Sequence, residues 1–257
     1  MRCRVLKFCA QCDSGTPGPD LKASDTIQHQ LPYLRRYARA VTGAAAQGDL
    51  MVEEMLETLL GDAEGKVSRV TLFRALDTAL AGRSRSSPPA RRALLLTAME
   101  GFTQADTAAI LAVPETELAG LLALAESDLA DIPASRICII EDEPLIGASL
   151  SQIVNSLGHA VTGVLSTRTS AVAHGLSEKP DLILADIELA DGSQGTDAVA
   201  EIRRTLTVPA IFITAFPERL LSGRSGEPTF LIPKPFKPSH VKAVITQALF
   251  LRGGARP

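Results

Sequence analysis

Residues 137–147 read ICIIEDEPLIG. Four apolar residues, three of them isoleucine, stop abruptly at Glu141-Asp142-Glu143, and Pro144 opens a helical stretch. A short unbroken apolar run of this kind is a strand covered on both faces, as in a parallel sheet flanked by helices. The pattern recurs downstream. Segments 159–165, 181–185, 209–214 and 229–232 read as further strands, with helical segments between them and a final helix over 239–251. Five β/α units of this length predict an α/β doubly wound parallel sheet. Upstream of about residue 134 the grammar is different, so a domain boundary falls there.

From Thr26 to about Asp131 the periodicity is helical. Leu31, Leu34, Ala38 and Val41 recur at steps of three and four, leaving Arg35, Arg36 and Arg39 on the other side. Helices are expected over 50–60 and 67–80, after which Gly82-Arg83-Ser84-Arg85-Ser86-Ser87-Pro88-Pro89 ends any helix and reads as a linker over 81–89. A helix over 90–100 follows. Thr103 is a good N-cap for 104–111, and Ala112-Val113-Pro114 turns the chain into a helix over 115–129. Two short helices joined this way make a helix-turn-helix candidate. Residues 1–25 lack periodicity and read as a flexible leader, as if the translation start were assigned too far upstream. Cys9 and Cys12 form a lone C-x-x-C without a second pair or a histidine nearby, so an unstructured terminus is expected there rather than a zinc site.

Composition removes several classes of function. Of 257 residues, 46% are hydrophobic and 21% charged, which suits a folded protein with sizeable cores. Aromatics are 4% with no Trp, so a wall of stacking rings for bases or sugars is not available. A net charge of -3 argues against a general polyanion binder. No stretch reaches the roughly 18 apolar residues a membrane helix needs, and the N-terminus makes a poor signal peptide. A cytoplasmic protein without membrane contact is expected.

In an open parallel sheet, ligands bind at the carboxyl ends of the strands. Here the first strand ends in Glu141 and Asp142, the third in Asp186, the fourth in Thr214, and the fifth runs into Lys234-Pro235. Carboxylates gathered in one place raise one another's pKa unless a cation sits among them. Hard oxygen ligands suit Mg2+, which commonly shares its coordination with phosphate. An acidic trio beside a lysine and a hydroxyl therefore points to phosphoryl transfer, with Asp186 on the middle strand as nucleophile and Thr214 and Lys234 as binders of phosphoryl oxygens.

These segments, ICIIEDEPLIG with LILADIEL, FITAF and IPKPF, resemble a two-component receiver domain over about residues 136–251. The resemblance implies strand order 2-1-3-4-5, Asp186 as phosphoacceptor and Mg2+ ligand, and Asp142 as a direct ligand. It further implies Glu141 acting through water, the backbone carbonyl of Glu188 as another ligand, Thr214 and Lys234 as switch residues, and a cis peptide at Lys234-Pro235. One departure is Leu231, where many receivers carry Tyr or Phe. Upstream, LPYLRRYARAVTG and LLLTAMEGFTQADTAAILAV resemble regions two and four of an extracytoplasmic-function sigma factor. That divides 26–133 into a region-two-like part over 26–80, the linker, and a region-four-like part over 90–133.

Taken whole, the chain resembles the PhyR-type general stress response regulators of alphaproteobacteria. The resemblance implies a phosphoacceptor regulator rather than an enzyme, fed by a histidine kinase or phosphotransfer donor and acting on an anti-sigma factor of the NepR kind. Charge bears on the rival, a DNA-binding response regulator. Residues 93–135 hold no Lys or Arg and the acids Glu100, Asp106, Glu115, Glu117, Glu126, Asp128 and Asp131, so a recognition helix there would repel phosphates. Residues 26–92 carry ten basic and seven acidic residues, a mixed surface unpromising for nucleic acid. The expected mechanism is a decoy: the unphosphorylated receiver holds the sigma-like half closed, and phosphorylation of Asp186 lets it open and capture the anti-sigma factor. A simple phosphate sink is a third option that the sequence favours less.

Overall fold

The computed structural model describes residues 20–61, 67–82, 87–130, 132–215, 217, 221 and 227–254. The Cys9/Cys12 pair, the core of the linker at 83–86 and most of the helical segment expected between the fourth and fifth strands lie outside them. Among the described residues, no single helix is long and apolar enough to cross a membrane.

The N-terminal half is helical. Helix α1 (Asp20–Thr42) begins six residues before its periodicity announces it, and α2 (Ala45–Gly61) five before. Helix α3 (Arg69–Ala81) starts at a capping box in which Ser68 and Thr71 satisfy each other's backbone N–H groups. Leu34, Ala38 and Val41 of α1 pack with Met51 and Val52 of α2 and with Leu72, Phe73 and Leu76 of α3. Helix α4 (Pro89–Leu94) opens on a proline and widens into a π-helical turn at Leu95–Met99, where a regular helix over 90–100 was expected. The Glu100 N–H reaches back to the Leu95 carbonyl at 3.0 Å. The widened turn buries Leu95, Leu96 and Met99 together, which one regular apolar stripe would not. Helix α5 (Gln104–Leu111) is capped by Thr103, whose hydroxyl accepts the Asp106 N–H. Ala112 then takes a left-handed conformation (φ 55°), and α6 (Glu115–Ala130) leaves at 95° to α5. Ala93, Ala108 and Leu118 form the small core beneath them.

The C-terminal half is a five-stranded parallel sheet in the order β2-β1-β3-β4-β5. Its strands are β1 (Arg136–Ile140), β2 (Ala160–Leu165), β3 (Leu182–Asp186), β4 (Ala210–Thr214) and β5 (Phe230–Pro233). Helices α7 (Pro144–Ser156), α8 (Arg168–Glu178), α9 (Gly195–Arg203) and α10 (Pro238–Gly254) complete it. Strand residues alternate between two cores. Cys138, Ile140, Ile183 and Ala185 face Ala171 of α8 and Ala198, Val199 and Ile202 of α9. Ile137, Ile139, Leu184 and Ile213 face the other way, toward Leu150 and Val154 of α7 and Val241 and Val244 of α10.

That second core does not end at α10. It runs without a break into the core of the N-terminal helices. The far side of α1 is therefore not a solvated face. Arg36 and Arg39 are buried, at 5% and 0% exposure. Arg36 makes a two-pronged bond to Glu100, at 2.9 and 2.8 Å. Arg39 holds both oxygens of Asp49 (2.7 and 2.6 Å) and, across the junction, the Glu227 carboxylate at 2.7 Å and the Pro228 carbonyl at 3.1 Å. Arg35 donates to the Leu221 carbonyl at 2.9 Å. From α10, Gln247 donates to the Ala40 carbonyl and to Ser87, and the Phe250 ring lies 4.0 Å from the Arg91 guanidinium. Inside the helical half, Asp77 joins Tyr37 at 2.7 Å to Arg92 at 2.5 Å. Four of the ten basic residues of 26–92, Arg36, Arg39, Arg91 and Arg92, are thus consumed internally.

Candidate functional site

Parallel pairing places the strand ends side by side. Asp186 closes β3 opposite Ile213, and Thr214 closes β4 opposite Pro233, one residue before Lys234. Glu141 and Asp142 follow β1 directly, beside β3. The register thus brings together every side chain that the sequence singled out. Asp142, Asp186, Glu188, Thr214 and Lys234 line a cleft of about 350 Å3, which Glu143, Leu189 and Ala190 also border.

Lys234 Nζ is the hub. It donates to Asp186 Oδ2 at 2.6 Å and lies 3.2 Å from Glu141 Oε2 and 3.6 Å from Glu143 Oε1. The other Asp186 oxygen accepts the Ile187 N–H at 2.6 Å, with the Glu188 N–H at 3.4 Å. Asp142 accepts the Ala190 N–H at 3.1 Å, which ties the β3–α9 loop to the end of β1. The peptide after Lys234 is cis. Gly195 opens α9 against β3, and a Cβ there would stand 1.8 Å from the Asp186 carbonyl oxygen.

Three carboxylates face one ammonium, and the imbalance shows in Glu141. Its side chain is fully buried, and burial, then the charge of Asp186, push its carboxyl up to about 7 despite the pull of Lys234. Burial alone would lower Lys234, but the hydrogen bond and charge of Asp186, with Glu141 behind it, hold it above its ordinary value. Glu141 Oε2 is buried without a hydrogen bond, and Glu141, Asp142 and Asp186 can each turn an oxygen to within 4.8 Å of the others. Hard, charged and under-compensated, this donor set fits a divalent cation such as Mg2+.

Sequence reasoning passed over Glu143, whose exposed carboxylate still feels Lys234. It also passed over the Ala190 N–H, because a backbone donor leaves no trace in residue identity. Leu231 is buried at 1% exposure within β5. In the helical half, Glu115 and Glu117 stand exposed in the first turn of α6, Leu124 is 54% exposed, and α5 and α6 contribute no cation. The shape of a DNA reader is present without the charges that hold a phosphate backbone.

Three family profiles match the chain. The family profile for the sigma2 domain of PhyR matches residues 27–77, that for the sigma-like domain of the response regulator PhyR matches 84–131, and that for the response regulator receiver domain matches 137–246. The phyllosphere-induced regulator PhyR of Methylorubrum extorquens is 46% identical over 90% of this chain and 95% of its own. The crystal structure of the response regulator PhyR from Brucella abortus is 46% identical, covers 91% of this chain and 96% of its own, and superposes with a TM-score of 0.85. That of the anti-anti-sigma factor PhyR from Bartonella quintana is 45% identical over 91% of this chain and 98% of its own, also with a TM-score of 0.85.

Proposed function

The chain belongs to the PhyR family of response regulators, and from that premise we propose that it is a phosphorylation-controlled decoy for an anti-sigma factor. The donor is a histidine kinase or phosphotransfer protein in the cytoplasm. An Asp186 carboxylate oxygen attacks the phosphorus of its phosphohistidine. A P–O bond forms, the P–N bond breaks, and the imidazole leaves with the bonding pair.

Asp142 and Asp186, with the Glu188 carbonyl and with Glu141 through water, would hold Mg2+, which when bound offsets the negative charge that gathers on the phosphoryl oxygens. Lys234, now bonded to Asp186, shifts its donation to a phosphoryl oxygen, and the Thr214 hydroxyl donates to another. The same residues account for slow self-phosphorylation from small acyl phosphates and for eventual hydrolysis.

One observation carries the link to the other half. Thr214 and Lys234, the two residues that sense the phosphoryl group, bracket the segment whose Leu221, Glu227 and Pro228 grip Arg35 and Arg39 of α1. Drawing both ends toward a new anion strains that grip, and the sigma-like half is released to meet its partner. Reversing a 1:99 population needs about 5.5 kcal/mol. The Thr214 bond to the phosphoryl group contributes about 1.5–3 kcal/mol, that of Lys234 replaces the one it already makes to Asp186, and partner binding adds the rest.

A pull-down of the anti-sigma factor by the full chain, with and without acetyl phosphate and Mg2+, tests this. Capture is expected to rise at least tenfold with acetyl phosphate and to stay at the basal level in Asp186→Asn. Equal capture in all arms, or phosphate uptake by Asp186→Asn, would overturn it.

A further inference from the structure

His240 is the third residue of α10, and the mechanism above makes no use of it. It is 7% exposed, and its ring Nε2 is buried without a hydrogen-bond partner. A neutral imidazole leaves a nitrogen unsatisfied here, which costs free energy that a plain apolar residue would not. Its place is the junction of the two halves, where the cation of Arg36 on α1 acts on it electrostatically.

Among the described residues, the charges around the ring leave no acceptor for a second proton. From α1 comes Arg36, stacked over the Tyr33 ring. From the end of the π-helical turn comes Glu100, but both its oxygens are taken by Arg36, and Arg69 stands 3.7 Å away. Helix α7 carries no titratable side chain, and neither do the residues of β4 and β5. On α10 and just before it, the ionisable neighbours are Lys242 and Lys237, both cations. A proton on His240 would put a second positive charge near Arg36 in a buried interface.

We infer that protonation of His240 opens the junction between receiver and sigma-like half, so that the closed form yields to acid as well as to phosphorylation. The inference rests on the reading that the two halves separate.

Burial, then Arg36, push the imidazole down from 6.5 to about 3 while the halves are docked. An undocked, solvated ring titrates near its ordinary value of about 6.5. Docking stability supplied by the neutral ring is therefore complete above pH 6.5 and lost progressively as pH falls below it. Between pH 7.5 and 5.0 the open-to-closed ratio rises about 30-fold.

Hydrogen exchange of the full chain, read on peptides from 27–42 and 238–254 at both pH values, measures docking without any partner. His240→Asn run alongside removes the intrinsic pH dependence of exchange. The expected result is a ratio of wild-type to variant exchange about 30-fold higher at pH 5.0 than at 7.5, and a ratio that does not change overturns the inference. If His240→Asn melts below the working temperature, His240→Leu takes its place. Ring NMR of the wild type gives an independent reading: a His240 ring still neutral at pH 5 supports the inference, and titration near 6.5 overturns it. An acetyl phosphate arm keeps the two readings apart. If phosphoryl donor raises exchange and acid does not, the acid switch alone fails. If acid raises exchange and phosphoryl donor does not, the acid switch stands and the phosphorylation reading fails.

Discussion

Gly195 shows how little room there is beside β3. A methyl group there would sit 1.8 Å from the Asp186 carbonyl oxygen, so Gly195→Ala must push β3 and α9 apart. Such backbone strain costs about 2–4 kcal/mol, to be read by urea denaturation, and phosphate uptake should fall with it. Glu141 makes the opposite case. Because its carboxyl is raised to about 7, the metal-free protein gains most from Glu141 below pH 4.5 and loses that contribution as pH rises through 7. Glu141→Gln is expected to raise the metal-free melting temperature at pH 8, flatten its fall between pH 5 and 8, and reduce the stabilisation by added Mg2+. These positions were legible in the sequence to different degrees. Glu141, Asp142, Asp186, Thr214 and Lys234 stood out because apolar strands end on them, and parallel strands end together. Gly195 did not, because the crowding that demands glycine comes from β3, nine residues earlier in the chain.

At the scale of elements, the junction between α1 and the β4–β5 connection is held by arginines of α1. Arg39 binds Asp49 within the helical half and Glu227 and Pro228 across the junction, so separation of the halves would remove only the second set. Breaking one partner of a buried pair is costly because the other charge is left behind. Arg39 retains Asp49, so Glu227→Gln should weaken docking without unfolding α1, by about 1–3 kcal/mol. The expected outcome is a 10- to 100-fold gain in anti-sigma capture in the absence of acetyl phosphate, measured by titration calorimetry, with the melting temperature of the receiver unchanged. Helix periodicity correctly put Leu34, Ala38 and Val41 in the core. It also put Arg35, Arg36 and Arg39 on the opposite face, and nothing in a single helix says that this face is covered by another domain. The π-helical turn was illegible for a related reason, since its widening answers to neighbours on two sides.

Over the whole molecule, charge separates the two uses to which a sigma-like shape can be put. Helices α5 and α6 carry exposed acids and no cation, and Arg36 and Arg39 of the region-two-like part are buried, as are Arg91 and Arg92 of α4. Duplex DNA should therefore give no shift in a gel assay at about 150 mM salt, where a reader needs several phosphate contacts to hold on, and should not compete with the anti-sigma factor. A salt-dependent shift would show a basic face exposed by opening. The sequence by itself determined the two architectures and which polar residues meet at the strand ends. Those features depend on local periodicity and on where apolar runs stop, and both are written in neighbouring residues. Only the tertiary structure decided that one core runs through both halves, that Arg36 and Arg39 are interior, and that His240 is buried near a cation. These depend on which surface meets which across as many as 207 residues of chain. Burial is set by the partner surface as much as by the residue, and a linear pattern records only the residue.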